Sequence, residues 1–472
     1  MKTQVDTVKL LIDSMTAAEK RMFKMQASAY SGSKKYLSLF EAIAAQKSYD
    51  EAALKRKFKG NFPVLKKYLL DAIIESLKVS DDYKDLDSYH AHEIEKYKIL
   101  RHKGLEKAAE IQLRRAKKIT LEDDAFLKYL YLLIQEYVSV FSNAGNLETS
   151  NLKYVIEERN KTISIISNYM LLSDVYFTLR LALKSMYYCK TAYDFKRLEN
   201  IIAPIKRYKE SDLLSNTARS LYYMTLNEYY TAIGEYDKAL TSSRTYLSLK
   251  RTPSRNTVEL QTILENANYL ILSLKCFIFR DFDKKLQWLE SVMQGSSQPF
   301  RYMFCFERWY VIKLRQYQIL GTTADANNFI TKESVRFNKQ IDSFSSKYKA
   351  SAYYFIALNH YLQKDYKNAL RSCNQIINKL DPALEEFLYA KLLRVFVYIQ
   401  QANNDNIEPE CRSLMRLMQK EVLSRQNEIS ILKAIQKSHD IKSSTWRQFL
   451  LKNTLKFSKD RTLQYYLNGV LA

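Results

Sequence analysis

The sequence predicts an all-α protein, organised as an α-solenoid of about eight antiparallel helix pairs. The 472 residues include only 8 glycines and 6 prolines, a composition that is typical of helical proteins. Apolar residues recur at helical spacing along most of the chain, and helix-breaking junctions recur with a period near 43 residues. An irregular helical bundle with accidental spacing is the alternative to this architecture.

The first 85 residues do not follow the period, and they are predicted to form a separate small helical domain, residues 1–85. Two capping-box patterns, T-x-x-E at 16–19 and S-x-x-E at 48–51, place helix starts near Ala17 and Tyr49. In this pattern the first and last side chains each satisfy a backbone N–H at the start of a helix.

The periodic array is predicted to span residues 86–410, and its clearest helix pair is Leu221–Ala232 followed by Tyr236–Leu249. Gly234 between the two helices supplies the left-handed backbone that ends a helix, and Pro253 cannot continue one. One anchor taken from each junction gives the positions 105, 147, 195, 236, 282, 324, 366 and 406.

This helix pair resembles a tetratricopeptide repeat. The positions that match the packing residues of that family are Leu226, Tyr230, Gly234, Tyr236, Ala239 and the trailing Pro253. Asn227 and Tyr246 depart from the small residues usual at their positions, and the period exceeds that of the standard repeat. The resemblance implies a right-handed superhelix whose concave groove binds a protein segment, with the first helix of each unit lining the groove.

Tyrosines are the candidate binding residues of that groove. Tyr223, Tyr230 and Tyr354 fall at positions between helices, where an amphipathic ring suits either a half-buried groove wall or packing in the core. Most of the tyrosines are expected in the core, with a few on the concave face.

A basic helical cap is predicted for residues 411–472, which carry 12 basic and 4 acidic residues. Arg447, Lys452, Lys456 and Lys459 stand beside Trp446 in a helical pattern. Aromatic rings among lysines suit single-stranded nucleic acid or anionic lipid headgroups, and they equally suit a helix packed on the array.

A second basic cluster surrounds the Gly60 turn between two predicted helices. Its members are Lys55, Arg56, Lys57, Lys59, Lys66 and Lys67. Such a cluster could face a phosphate backbone, or it could be the solvated surface of a protein whose net charge is +23.

Signatures of catalysis are absent from the sequence. No Gly-rich phosphate loop, G-x-S-x-G, H-E-x-x-H or paired cysteine motif occurs, so no enzymatic activity, cofactor or metal is predicted. His90 and His92 are the only metal-like pair, and residues two apart on a helix point to different sides. Five widely spaced cysteines, with no signal peptide and no membrane span, favour the cytoplasm.

The sequence therefore predicts a non-catalytic cytoplasmic scaffold or adaptor that binds an acidic or extended protein or peptide segment in its groove. The alternative is nucleic-acid or ribonucleoprotein binding through the two basic ends, which would give a steep salt dependence. An enzyme with no recognisable local motif is the second alternative.

Overall fold

A computed structural model describes residues 7–29, 35–46, 49–58, 60–78, 86–142, 149–249, 260–296, 298–419, 425–437, 453 and 461–467. Within these residues the chain is helical, with 22 α-helices and no β-strand, so the predicted all-α class is confirmed. None of these helices is long and apolar enough to cross a membrane.

The chain divides into two compact units, residues 1–123 with 253–257, and residues 124–252 with 258–472. The predicted boundary near residue 85 therefore falls inside the first unit. The described helices beyond residue 411, which were predicted as a cap, belong to the second unit.

The first unit contains seven helices among the described residues. They are α1 (Thr7–Ser14), α2 (Ala17–Ala29), α3 (Lys35–Ala44), α4 (Glu51–Lys57), α5 (Phe62–Lys78), α6 (Leu86–His102) and α7 (Glu106–Glu122). Helix α2 begins where the capping box predicts, with Thr16 and Glu19 exchanging hydrogen bonds. Helix α4 begins at Glu51 instead of near Tyr49, because the Asp50 side chain caps it by accepting from the Ala53 N–H.

A hydrophobic core joins α1 to α5. Ile12, Leu39, Ile43, Leu69 and Ile73 are completely buried in it, one or more residues from each of α1, α3 and α5. Helices α6 and α7 pack against each other. Burial of such apolar side chains is the main favourable term in forming the unit.

The second unit contains the other fifteen described helices. They are α8 (Phe126–Ser142), α9 (Thr149–Met186), α10 (Ala192–Ile202), α11 (Asn216–Ala232), α12 (Tyr236–Ser248), α13 (Leu260–Cys276), α14 (Phe282–Gln294), α15 (Pro299–Ile319), α16 (Thr323–Gln340), α17 (Ser346–Leu362), α18 (Tyr366–Lys379), α19 (Glu385–Gln400), α20 (Asn404–Gln419), α21 (Gln426–Lys437) and α22 (Arg461–Leu467). From α11 to α21 each helix packs against the next one, and α9 packs against α8, α10 and α11. Helix α13 also contacts α15, α15 contacts α17, α17 contacts α19, and α22 packs on α13.

Five connections in the two units share one turn geometry. In each, a residue in the left-handed region lies two positions before the next helix; these residues are Gly104, Gly234, Gly321, Lys364 and Ala402. The following residue donates its N–H to the carbonyl five positions earlier, as Glu235 does to Tyr230 at 2.9 Å. This is the hydrogen bond of a Schellman turn, which satisfies carbonyls left free at a helix end.

The predicted junctions correspond to helix starts in the described residues. Helices begin at residues 106, 192, 236, 282, 323, 366 and 404, within about three residues of seven of the eight anchors. The anchor at residue 147 lies outside the described residues.

Candidate functional site

The basic cluster near Gly60 is partly neutralised within the first unit. The Lys55 ammonium lies 2.7 Å from one carboxylate oxygen of Glu51, and Lys66 lies 3.4 Å from the other. The hydrogen bond from Lys55, and then the charge of Lys66, lower the pKa of Glu51. Lys66 also stands 5.2 Å from the centre of the Tyr49 ring. Two of the cluster's charges are therefore directed at groups of the protein itself.

The other predicted basic residues divide into two groups. Arg56, Lys57 and Lys67 lie on the described helices α4 and α5. Lys59, Arg447, Lys452, Lys456 and Lys459 lie outside the described residues.

The three candidate groove tyrosines occupy different environments. Tyr223 donates to Glu210 at 2.8 Å, and Tyr230 packs beside Tyr229 with 5.2 Å between ring centres. Tyr354 is completely buried and donates to the backbone carbonyl of Tyr466 at 2.7 Å. Tyr354 therefore does not present an accessible groove wall and belongs to the core, together with most of the neighbouring residues of α17. None of the three lines the cavities described next.

Two adjoining cavities occupy the second unit. The first has a volume of about 280 Å³ and the second of about 760 Å³. They share lining residues that include Thr231, Ala232, Lys347 and Tyr348. Alternate helices supply much of the lining, because α11, α13, α15, α17, α19 and α21 each contribute to the first cavity. We call the two cavities together the groove.

A cluster of ion pairs lies in the wall of the first cavity. Arg425 donates to Glu385 at 2.8 Å, and its guanidinium also lies 3.3 Å from Glu428 and 3.1 Å from the Tyr389 hydroxyl. Burial disfavours the charged guanidinium, but Tyr389 and the two carboxylates outweigh it and raise the pKa of Arg425. Arg425 therefore stays charged, and its contacts tie α19 to the start of α21.

Lys275 supplies a second cation to the same wall. Its ammonium donates to the Tyr236 hydroxyl at 3.1 Å and lies 3.8 Å from Glu385. Burial opposes its charge, but Tyr236 and Glu385 together raise the pKa of Lys275.

The second cavity has a wall of exposed apolar and basic side chains. Phe177 and Leu181, one turn apart on α9, are 62% and 71% exposed although both are apolar. Lys184 and Lys347 line the same cavity, and neither has a carboxylate within ion-pair distance in the described part of the chain. Burial lowers the pKa of Lys347, against the charges of Glu386, Glu228 and Glu385, which act to raise it. The wall thus combines apolar surface with two lysines, of which Lys347 is balanced in part by more distant carboxylates.

Helix α22 is lodged beside the first cavity, where Tyr465 and Tyr466 form part of the lining. The Tyr466 ring stacks on Tyr389, with 4.1 Å between centres and an angle of 14°. Its hydroxyl lies 3.2 Å from Glu385 and 3.4 Å from Glu386. Helix α22 is thereby held by residues that are distant in sequence.

A buried arginine contacts the backbone of α22. Arg315 has no exposed surface, and its guanidinium donates to the Gln464 carbonyl at 3.2 Å. The guanidinium carbon also lies 5.0 Å from the Tyr465 ring centre and 5.2 Å from that of Phe355. Burial lowers the pKa of Arg315 to about 10, so it is still a cation at neutral pH.

The features considered for catalysis or metal binding have structural partners. His90 Nε2 lies 2.7 Å from Asp123, and Glu93 is bonded to Lys96 and Gln112. Across the described ranges no group of His, Cys, Asp and Glu side chains is arranged to hold a metal ion. All five cysteines are buried, and burial raises the pKa of the Cys189 thiol to about 11. A neutral thiol is a weak nucleophile.

Sequence reasoning did not identify the charged residues of the groove. It also did not identify Arg315, which lines neither cavity. Lys275 lies in the apolar helix α13 and Arg315 in the mixed helix α15, and a cation among buried positions is the signal that could have found both. Comparisons with models of known families, with curated proteins and with solved structures find no match for the chain.

Proposed function

We propose that this protein is a non-catalytic cytoplasmic scaffold or adaptor, in which a tetratricopeptide-like α-solenoid binds an acidic protein or peptide segment in the groove. The observation that carries the proposal is the wall of the second cavity. It exposes Phe177 and Leu181 beside two lysines, Lys184 and Lys347, that lack ion-pair partners in the described chain.

The chemistry of this wall defines the partner. Apolar side chains of a bound segment would cover Phe177 and Leu181, at about 25 cal/mol for each Å² removed from water. Carboxylates of the same segment would pair with Lys184 and Lys347. Arg180, in the same cavity, is already paired with Glu228 at 3.6 Å, so it is less available. An acidic segment with apolar anchors satisfies both requirements.

Selection from a library of random peptides displayed on phage tests the proposal. We expect the full-length chain to enrich peptides that combine Asp or Glu with large apolar residues. The double variant Lys184→Glu/Lys347→Glu should then bind the selected peptides about tenfold or more weakly in fluorescence polarisation. The control is Lys196→Glu/Lys367→Glu, two charge reversals of exposed lysines that do not line the groove.

Two results would refute the proposal. One is the absence of enrichment for acidic peptides. The other is an equal loss of affinity in both double variants, which would show that net charge alone matters. If the chain instead binds a single-stranded oligonucleotide, with an affinity that falls steeply on a log–log salt plot, the nucleic-acid alternative takes its place.

A further inference from the structure

Helix α22 has the contacts of a bound ligand. The structure describes this helix at residues Arg461–Leu467. Tyr465, Tyr466 and Leu467 are nearly completely buried against other helices. Burial of these side chains removes apolar area from water and holds the helix on the surface that it contacts.

The surface recognises the backbone of α22 as well as its rings. Arg315 donates to the Gln464 carbonyl at 3.2 Å, and Tyr354 donates to the Tyr466 carbonyl at 2.7 Å. Both carbonyls belong to the described helix Arg461–Leu467, and each accepts a hydrogen bond from a buried side chain. These two buried donors therefore act as a receptor for the backbone of α22.

The receptor also selects two adjacent aromatic rings. Tyr465 meets Phe355 edge to face, with 5.5 Å between ring centres, and lies 5.1 Å from the Lys275 ammonium. Tyr466 stacks on Tyr389 and places its hydroxyl beside Glu385. Each ring thus has its own aromatic partner and its own polar partner.

The Arg315 guanidinium is incompletely satisfied by α22. No carboxylate lies within ion-pair distance of it among the described residues, and its Nε has no hydrogen-bond partner. A fully buried cation with no counter-ion is costly to the folded protein. A ligand that placed a carboxylate here would satisfy the guanidinium better than α22 does.

We propose that α22 is an internal ligand of the groove, which competes with partner segments that carry two adjacent aromatic residues and a carboxylate. This inference rests on the proposed function and names the partner class more closely. Competition follows from position, because Tyr465 and Tyr466 line the first cavity, and that cavity shares Lys347 and Tyr348 with the second.

The test uses the full-length chain and a labelled synthetic peptide with the α22 sequence RTLQYYL. In Tyr465→Ala/Tyr466→Ala the internal ligand loses both anchors, so we expect the peptide to bind this variant at least about tenfold more tightly than the wild type. A peptide with both tyrosines replaced by alanine should not bind. The matched control is Tyr193→Ala, which removes a 74% exposed ring outside the groove.

The internal ligand is refuted if the peptide binds the double variant no better than the wild type while circular dichroism shows the variant to be folded. If the double variant loses its helical signal, Tyr466→Phe replaces it, because that change keeps the stacked ring and removes only the hydroxyl contacts. The wild-type peptide should then bind Tyr466→Phe about threefold or more tightly than it binds the wild type, and no gain refutes the inference.

Competition with partners is measured separately, with the phage-selected peptides. If they bind Tyr465→Ala/Tyr466→Ala more tightly than the wild type, competition by α22 is supported; equal binding to both proteins refutes it. The two proposals can fail separately. If the phage-selected peptides bind neither the wild type nor the double variant in solution, the proposed function is refuted. Binding of the α22 peptide tests only whether α22 is an internal ligand.

Discussion

Replacement of Arg425 by methionine is the most direct test of the ion-pair cluster in the groove wall. The change keeps much of the side-chain volume but removes the cation that contacts Glu385, Glu428 and the Tyr389 hydroxyl. Glu428 is 1% exposed, so its carboxylate would lose the guanidinium at a position that is shielded from bulk water. We expect a large loss of stability, because carboxylates would remain buried beside a neutral side chain.

The magnitude follows from the geometry of the cluster. Breaking a buried ion pair by removing one partner costs about 3–5 kcal/mol. Lys275, 3.8 Å from Glu385, still compensates that carboxylate in part. The expected cost is therefore near the lower end, about 3 kcal/mol, measured as the change in the free energy of unfolding by urea titration with circular dichroism.

The control is the same substitution in an exposed pair. Arg412 lies 3.4 Å from Glu408 on α20, and both side chains are more than half exposed, so Arg412→Met should cost less than about 0.5 kcal/mol. Adding Glu428→Gln to Arg425→Met should recover part of the loss. An Arg425→Met cost below about 1 kcal/mol, or one equal to that of the control, would refute the reasoning.

Three further predictions concern the core, the turns and one carboxylate. Phe282→Ala, at a position 1% exposed, should cost about 3–5 kcal/mol in urea unfolding; less than about 1 kcal/mol would contradict its core assignment. Gly234 and Ala402 both have a positive φ, which favours glycine. Gly234→Ala should therefore destabilise the protein by about 1 kcal/mol, and Ala402→Gly should stabilise it by about 0.5–1 kcal/mol. Melting temperatures that shift in the same direction in both variants would contradict the assignment of one turn geometry to both positions. Burial opposes ionisation of Glu93, but hydrogen bonds, first from Lys96, outweigh burial and lower the pKa of Glu93 below 4.5. The ionised carboxylate therefore stabilises the protein above pH 4.5, and this stabilisation is lost as the pH falls through the lowered pKa. Glu93→Gln should flatten the acid side of the plot of melting temperature against pH, and an unchanged slope would contradict this prediction.

Much of the helical layout follows from local sequence. Gly104, Gly234 and Gly321 mark turns because glycine adopts the left-handed conformation without a steric penalty. Lys364 and Ala402 adopt the same conformation without being glycine, and only the aromatic or polar residues after them indicated those turns. The start of α4 differed by two residues because the cap is Asp50, which the capping-box pattern did not identify. The solenoid arrangement and its period remain predictions.

The candidate site was less accessible to sequence reasoning. Helical periodicity shows that a face is apolar, but it does not show whether that face packs on a neighbouring helix or lines a groove. For this reason the sequence could not show that Tyr354 is buried in the core. The contacts that define the site also join distant parts of the chain. Arg315 and Gln464 are separated by 149 positions, so no local pattern could pair them.

Four tyrosines, two on α22 and two on the helices that it contacts, provide an intrinsic spectroscopic signal. Tyr354, Tyr389, Tyr465 and Tyr466 are each held against another ring in the group. Near-ultraviolet circular dichroism depends on such fixed aromatic surroundings and fades when they loosen. Departure of α22 would therefore change this signal while leaving the far-ultraviolet helical signal almost intact, which allows the event to be followed without any attached dye.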